Sequence, residues 1–305
     1  MKRKAYESEP IPSQLTHELY RYGNRDVIYL QKITDNRWNI SDFMNWVGSD
    51  RPETKLRYYL EKNGADLSEY PESTLELVYY PTDKIRVPVN KENVLKSGLV
   101  KEKDSALIVD YIDIDLPGAL AKNRIMMLDI LANNDWERPI YFSGGSFDNA
   151  EYLWMKEYLQ LDGMAYKLVP IRTTNRSPFE MGRIDSDLMY DIVMDWDWGN
   201  SGSSEIYHDP QTRSQGLSLR SNLARLVETL ISENKIEKAR DIIGLAMTNM
   251  KVEHYDFYTF VEPFVDGYYK VGETSRARSN QAWLDSMMLV VLGLSTKVSP
   301  LSVDL

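Results

Sequence analysis

The chain has 305 residues, enough for one large or two small domains, and its 43% hydrophobic and 27% charged content is typical of a soluble globular protein. Its 46 acidic and 36 basic side chains give a formal net charge of −10, which disfavours nucleic-acid binding because that needs clustered lysine and arginine. The lack of cysteine excludes disulfides, thiolate metal sites and a cysteine nucleophile.

The first part of the chain predicts short strands. Asp26–Leu30 is the first of them. Leu75–Tyr80 and Ile85–Val89 predict a hairpin, since Pro81 suits the turn between them. Ile108–Ile114 alternates apolar and acidic residues, which is typical of a strand with one exposed face. These segments predict a small mixed or parallel sheet in an α/β or α+β fold.

Short helices are predicted between these strands. Ser41 is a candidate cap for a helix that ends at Gly48. Asn90 is the candidate cap of a brief helix, Lys91–Lys96, which Gly98 closes. We therefore expect helices and strands to be interspersed along this part of the chain.

The run from Asn133 to Gly145 is the most informative stretch. Asn133 follows apolar residues at helical spacing and stops their helix, and Pro139 suits the start of a strand. Ile140–Phe142 is apolar without alternation, which predicts a central strand buried on both faces. A helix from about Asp148 and a strand at Met164–Ile171 then predict a crossover between parallel neighbours. Acidic Asp135 and Glu137 beside Trp136 indicate a structural corner.

The second part of the chain predicts helices alone. Apolar stripes at Leu219–Ile231 and Ile236–Met250 predict an antiparallel pair, and a second pair follows from about Tyr255. The matching positions of residues 231–239 and 269–277 resemble a tetratricopeptide-type helical-hairpin array. The predicted organisation is an α/β region at 1–200 with an incomplete N-terminus, a linker at 201–216, helical hairpins at 217–290 and an irregular tail at 291–305.

Three segments together resemble a known family: NNDWERPIYFS (residues 133–143), LQLDGMAYKLVPI (159–171) and RIDSDLMYDIVM (183–194). They are similar to the extracytoplasmic C-terminal region of bacterial protein O-mannosyltransferase-like membrane proteins, and the likeness extends to about Arg276. The resemblance implies that Met1 lies inside a longer protein whose transmembrane part is missing here. It also implies a place on the periplasmic side of a bacterial inner membrane. The motifs are structural, so they identify a family and not a reaction.

Two groups of residues are candidate ligand contacts. Asp113 and Asp115 share one side of a strand, and paired carboxylates can bind a hard cation, although a solvated strand face also explains them. In the other group, Trp196 and Trp198 alternate with acids. Such a group can hold a cation or a sugar ring, and the alternative is a linker anchored by two buried indoles. The second group consists of Asp195, Trp196, Asp197 and Trp198.

Motifs for catalysis or cofactors are not recognisable in the sequence. His17, His208 and His254 are far apart in sequence, which disfavours a metal site. Gly144–Gly145 lacks the lysine and threonine of a phosphate loop, so a tight turn is favoured. A nucleophile motif is also lacking. We therefore expect no catalytic residue, no cofactor and no metal.

The sequence leaves three hypotheses for function. The first is a non-catalytic module of a membrane glycosyltransferase-like protein that supports or docks an acceptor or partner, the partner being the missing transmembrane part or another protein. The alternative is a tetratricopeptide-like protein–protein interaction module. A third is a soluble hydrolase that uses the acidic pairs. No run reaches the roughly 18 apolar residues of a membrane helix, so we expect a soluble chain without direct membrane insertion.

Overall fold

The structure is a computed structural model that describes residues 27–143, 153–174, 181–255 and 260–291. It confirms the predicted class, since small three-stranded sheets come first and helices follow. The chain divides into two compact units, each built from several segments. The first comprises residues 1–140, 148–158 and 168–174, and the second comprises residues 141–147, 159–167 and 175–305.

The first unit contains two small sheets. One has the strand order β3–β1–β6, with β1 parallel to β3 and antiparallel to β6. The other has the order β2–β4–β5, with β4 parallel to β2 and antiparallel to β5. The strands described in this unit are β1 (Val27–Leu30), β2 (Trp38–Asn39), β3 (Tyr79–Tyr80), β4 (Lys84–Pro88), β5 (Tyr111–Asp115) and β6 (Leu120–Ala121).

Strand β5 shows the predicted alternation, and β4 alternates in the same way. Ile85 and Val87 of β4 are buried, as are Ile112 and Ile114 of β5, while the residues between them face outward. The predicted hairpin is wrong, because β3 and β4 belong to different sheets. The turn after Tyr80 instead passes the chain from one sheet to the other. The sequence could not show this, since a proline turn suits both connections.

Helix α1 (Ile40–Val47) packs against strands of both sheets. Helix α1 buries Ile40, Phe43, Met44 and Val47, one face at helical spacing. The cap of α1 is Asn39, not Ser41, because the Asn39 side chain accepts a hydrogen bond from the Ser41 backbone N–H. The helices described here are α1 (Ile40–Val47), α2 (Leu56–Lys62), α3 (Glu72–Leu75), α4 (Lys91–Lys96) and α5 (Lys122–Asn133).

The stretch after α5 forms a tight corner. Asp135 and Trp136 both adopt the left-handed backbone conformation, with φ of 42° and 61°. Each such residue costs about 1 kcal/mol or more outside glycine. The Asp135 carboxylate accepts hydrogen bonds from the side-chain amides of Asn90 and Asn93, and the buried Trp136 indole donates to the Pro88 carbonyl at 2.7 Å. These bonds offset the strain, so the run is a structural corner.

The sheet of the second unit differs from the predicted one. Its order is β7–β9–β8, and it consists of β7 (Tyr141–Ser143), β8 (Leu159–Asp162) and β9 (Ala165–Leu168). Strand β7 lies at the edge and Tyr141 is 50% exposed, so the prediction of a central buried strand is wrong. Strand β7 also runs antiparallel to β9, so the parallel crossover is wrong. Within 153–158 the described chain is a 3₁₀ helix, and the start of the expected helix at Asp148 lies outside the described residues.

Helices make up the rest of the second unit. Leu223, Leu226 and Leu230 of α7 are fully buried, as are Ile242 and Ile243 of α8, which confirms both predicted stripes. In the described part of the chain after residue 215, no strand occurs. The helices described are α6 (Ser186–Met194), α7 (Pro210–Ser232), α8 (Ile236–Asn249), α9 (Val252–Tyr255), α10 (Glu262–Lys270) and α11 (Thr274–Val291).

Helix α7 begins earlier than its apolar stripe suggests. The Asp209 carboxylate accepts hydrogen bonds from the backbone N–H groups of Gln211 and Thr212, and Pro210 occupies the first helical turn. Residues 210–216 of the expected linker are therefore helical. Beyond Val291 the expected irregular tail lies outside the described residues.

Candidate functional site

Asp113 and Asp115 lie in an arginine–aspartate cluster, defined by Arg37, Arg86, Asp113 and Asp115. Arg86 binds Asp113 with two hydrogen bonds, Nε to Oδ1 at 2.8 Å and a terminal nitrogen to Oδ2 at 2.9 Å. Arg37 Nε lies 3.4 Å from Asp113 Oδ2, and a terminal nitrogen lies 2.9 Å from Asp115 Oδ1. The two aspartates therefore face the same side of β5, as their spacing predicts, and both contact guanidinium groups.

The sheet register places these side chains together. Arg86 on β4 pairs directly with Asp113 on β5, and such cross-strand neighbours interact. Arg37 immediately precedes β2, and its guanidinium also donates to the backbone carbonyls of Ile85 and Ile114, at 3.0 and 3.1 Å. The Tyr111 ring lies 3.5 Å from the Arg86 guanidinium carbon, a cation–π contact. The cluster is thus a fixed feature of the outer face of this sheet.

The electrostatics of the cluster favour an ionised Asp113. The hydrogen bonds from Arg86 lower the pKa of Asp113, the charges of Arg37 and Arg172 add to this effect, and partial burial opposes it. A carboxylate with a lowered pKa is a weak general base at neutral pH, and arginine is not an acid there. The adjacent guanidinium groups also disfavour a hard cation. The arrangement fixes the positions of the charged groups and is poorly suited to proton transfer.

The second group of candidates forms the tryptophan loop, defined as Asp195, Trp196, Asp197 and Trp198. Both acids are exposed, and the Asp197 carboxylate accepts a hydrogen bond from the Gly199 backbone N–H at 2.9 Å. The two indoles meet edge to face with ring centroids 5.6 Å apart. Trp196 lies against Gly163, where a Cβ atom would approach its ring to 2.8 Å. Trp196 therefore anchors this loop to the β8–β9 turn.

Two of the histidines lie together, which the sequence did not predict. The His208 and His254 rings stack with centroids 5.5 Å apart, and His208 lies 5.0 Å from the Tyr255 ring. Helices α7 and α8 separate them in sequence, so no local spacing could have indicated the contact. His17 lies outside the described residues. Among the described residues no group of three or more histidine or acidic side chains is placed to hold a metal ion.

A buried ion pair in the second unit was also missed. Lys167 Nζ lies 2.9 Å from Asp162 Oδ2, and the two side chains are only 4% and 2% exposed. Gln160 donates to the same carboxylate at 2.8 Å and the Tyr141 hydroxyl donates at 3.3 Å. Burial, together with Asp162, raises the pKa of Tyr141 to about 12. The ion pair could have been suspected from the sequence because Asp162 and Lys167 lie on either side of the Gly163 turn of a hairpin, which favours a cross-strand pair.

Comparison with known proteins gives a match to a family model. The family model described as TMEM260-associated domain 2 matches residues 1–188, which is more than half of the chain. No curated protein and no solved structure matches. Among the described residues, no helix combines the length and the apolar character that crossing a membrane requires. The chain belongs to the TMEM260-associated domain 2 family.

Proposed function

We propose that this chain is a non-catalytic module of a membrane glycosyltransferase-like protein, and that it supports or docks an acceptor or partner. The observation that carries the proposal is the family itself, whose description makes it a domain associated with TMEM260, a protein O-mannosyltransferase-like family. The resemblance of residues 133–143, 159–171 and 183–194 to the extracytoplasmic part of such proteins supports the same conclusion.

The chemistry of sugar transfer supports a non-catalytic role. Transfer from a lipid carrier needs a membrane-depth site for the carrier, a base near the acceptor hydroxyl and a clamp for the phosphate leaving group. If Asp113 is taken as the base, its pKa is lowered, and the neighbouring guanidinium groups of Arg37 and Arg86 already contact carboxylates. These groups stabilise β4 and β5, so we assign transfer to another part of the protein.

The proposal includes a partner and a location. The partner is the transmembrane part of such a protein, or another protein that works beside it. The location is the extracytoplasmic side of a bacterial inner membrane, as the resemblance implies. The net charge of −10 supports a protein or neutral ligand as partner over nucleic acid.

A transfer assay tests the proposal. Purified chain is mixed with lipid-linked mannose and an acceptor peptide, and we expect no product above a no-protein control. In a second arm the transmembrane part is expressed separately, and we expect the chain to co-purify with it in detergent. Steady turnover by the chain alone that disappears on Asp113→Asn would overturn the proposal, because catalysis would then lie in this chain.

A second candidate is a helical interaction module. It is favoured by the close packing of the helices, since Ala239 and Ala277 are fully buried and Gly267 lies against Ile243 and Val227. Small residues at such contacts are typical of stacked helical hairpins. The co-purification arm separates the two candidates, because a helical interaction module would bind a soluble peptide partner and leave the transmembrane part unbound.

A further inference from the structure

A groove lies along the outer side of α1 in the first unit. Its volume is about 370 Å³, within the roughly 300–1,000 Å³ range of small-molecule sites. Asp42, Asn45 and Trp46 line it from α1, at the three- and four-residue spacing that places side chains on one helix face. Trp38 and Arg51 complete the walls. The opposite face of α1 is buried, so this helix presents its polar side to the groove.

The walls of the groove are held in place by neighbouring groups. The Trp46 indole donates to the Tyr79 carbonyl at 2.7 Å, and the Trp38 ring meets Trp46 edge to face, with centroids 5.5 Å apart. Arg37, which also lines the groove, is fixed by Asp115 and two backbone carbonyls. A ligand therefore meets a pre-formed apolar corner and does not have to order these side chains, which favours binding.

Several polar groups of the groove are available to a ligand. The Trp38 indole N–H, the Asp42 carboxylate and the Asn45 amide make no hydrogen bond to any residue that the structure describes. They supply a donor, an acceptor and a group that is both. Arg51 is held at Nε by the Ser49 hydroxyl, at 3.0 Å. The groove thus offers donors and acceptors around an aromatic corner.

The charges in the groove are balanced. The positive charges of Arg37 and Arg86 balance the negative charges of Asp113 and Asp115. Arg51 and Asp42 bring one charge of each sign to the same groove. An anion would meet the repulsion of Asp42, and a cation would meet the repulsion of Arg51. The balance favours an uncharged polar ligand.

We propose that the groove binds a neutral pyranose sugar. A pyranose has an apolar face of C–H groups, which packs on an aromatic corner such as Trp38 and Trp46, and a rim of hydroxyl groups that donate and accept. Asp42 and Asn45 bind those hydroxyls. The proposal deepens the proposed function, on which it rests, by naming the class of ligand that the module holds.

The test measures binding of three methyl α-pyranosides, those of mannose, glucose and galactose, by saturation-transfer NMR on the full chain. We expect at least one to bind with a Kd on the order of 1 mM, the strength that about a dozen non-hydrogen atoms support at ordinary ligand efficiency. Trp38→Ala and Asp42→Asn should each weaken binding about tenfold or abolish it. Tyr70→Ala removes an exposed ring of the same unit outside the groove and should leave it unchanged.

Three outcomes would overturn the proposal. The first is no signal from any of the pyranosides up to ~20 mM. The second is unchanged affinity in Asp42→Asn, an exposed and nearly isosteric change that tests the groove even if Trp38→Ala does not fold. The third is binding of inorganic phosphate or tetramethylammonium in place of the sugars. None of these affects the transfer and co-purification arms, so failure of the groove leaves the proposed function separately testable.

Discussion

At the scale of single residues, the ionisation of Asp113 makes the stability contributed by the arginine–aspartate cluster depend on pH. Arg86 lowers the pKa of Asp113 in the folded chain below its ordinary 3.8, so the stability that the pair contributes is present above that pH. It is lost as the pH falls through the folded-state pKa. We expect Asp113→Asn to lower the free energy of unfolding by about 1 kcal/mol at neutral pH, since the pair is partly exposed. The difference in the free energy of unfolding between this variant and the natural chain should shrink below pH 3.8.

Chemical denaturation at neutral pH and near pH 3 measures this difference. Asp110→Asn is the matched control, because Asp110 also belongs to an ion pair of this unit but is 80% exposed, so its loss should change stability little at either pH. A deficit in Asp113→Asn that is equal at both pH values would show that the carboxylate acts through packing and not through its charge.

Only part of the arginine–aspartate cluster could be predicted from the sequence. The two-residue period of a strand was enough to place Asp113 and Asp115 on one face. Their partner Arg37 lies 78 residues before Asp115 and binds it only because β2 and β5 flank β4 in one sheet. No local pattern reports such a pairing. The strand periodicity therefore predicts the carboxylates, and only the topology shows that they are neutralised.

At the scale of elements, two helix glycines have opposite expected effects. Gly216 lies inside α7, where a Cβ atom would approach the ring of buried Tyr255 to 2.5 Å. Gly244 lies inside α8, with nothing within 4 Å of the same position. Alanine stabilises a helix interior by about 0.5–1 kcal/mol over glycine, whereas overpacking costs about 1–3 kcal/mol. We expect Gly244→Ala to raise the melting temperature and Gly216→Ala to lower it.

Thermal melts of the two variants check this pair of expectations. Replacing Tyr255 with leucine removes the ring, so Gly216→Ala should cost less in that background than in the natural chain. If Gly216→Ala lowers the melting temperature equally in both backgrounds, the contact with Tyr255 is not the cause of the destabilisation. The pair thus tests whether α7 and α9 pack as closely as the structure shows.

Elements were predictable where their cause is local. Helix α4 follows its cap, Asn90, and the stripes of α7 and α8 follow one helical face, so each was found from sequence. Strand β7 was misassigned because its apolar run suits a central strand, whereas β9, which lies between β7 and β8, occupies the centre of that small sheet. The order of strands in a sheet depends on which strands pair with each other, and a single run of residues does not contain that information.

At the scale of the whole molecule, the predicted boundary near residue 200 falls inside one compact unit. Within that unit, Asn222 donates to the Gly163 carbonyl at 2.9 Å, and Arg225 donates to the Gly182 carbonyl at 2.8 Å. Asp187 on α6 forms ion pairs with Lys235 and Lys238, both at 2.8 Å. Helices after the boundary are thus bonded to segments before it. A division into independent domains at residue 200 stays a prediction that cleavage can test.

A protease site inserted after Glu205 provides that test, because residues 204–207 are exposed. Cutting there removes only one covalent link, while the hydrogen bonds, ion pairs and buried apolar contacts of α6 and α7 remain. We expect the cut protein to elute from a sizing column at the volume of the uncut chain, and the pieces to separate only in denaturant. When the same site is inserted into a Lys235→Ala, Lys238→Ala background, the cut pieces should separate at a lower denaturant concentration, because the ion pairs of Asp187 are lost. Two folded pieces that separate in plain buffer would instead establish the boundary that the sequence predicts.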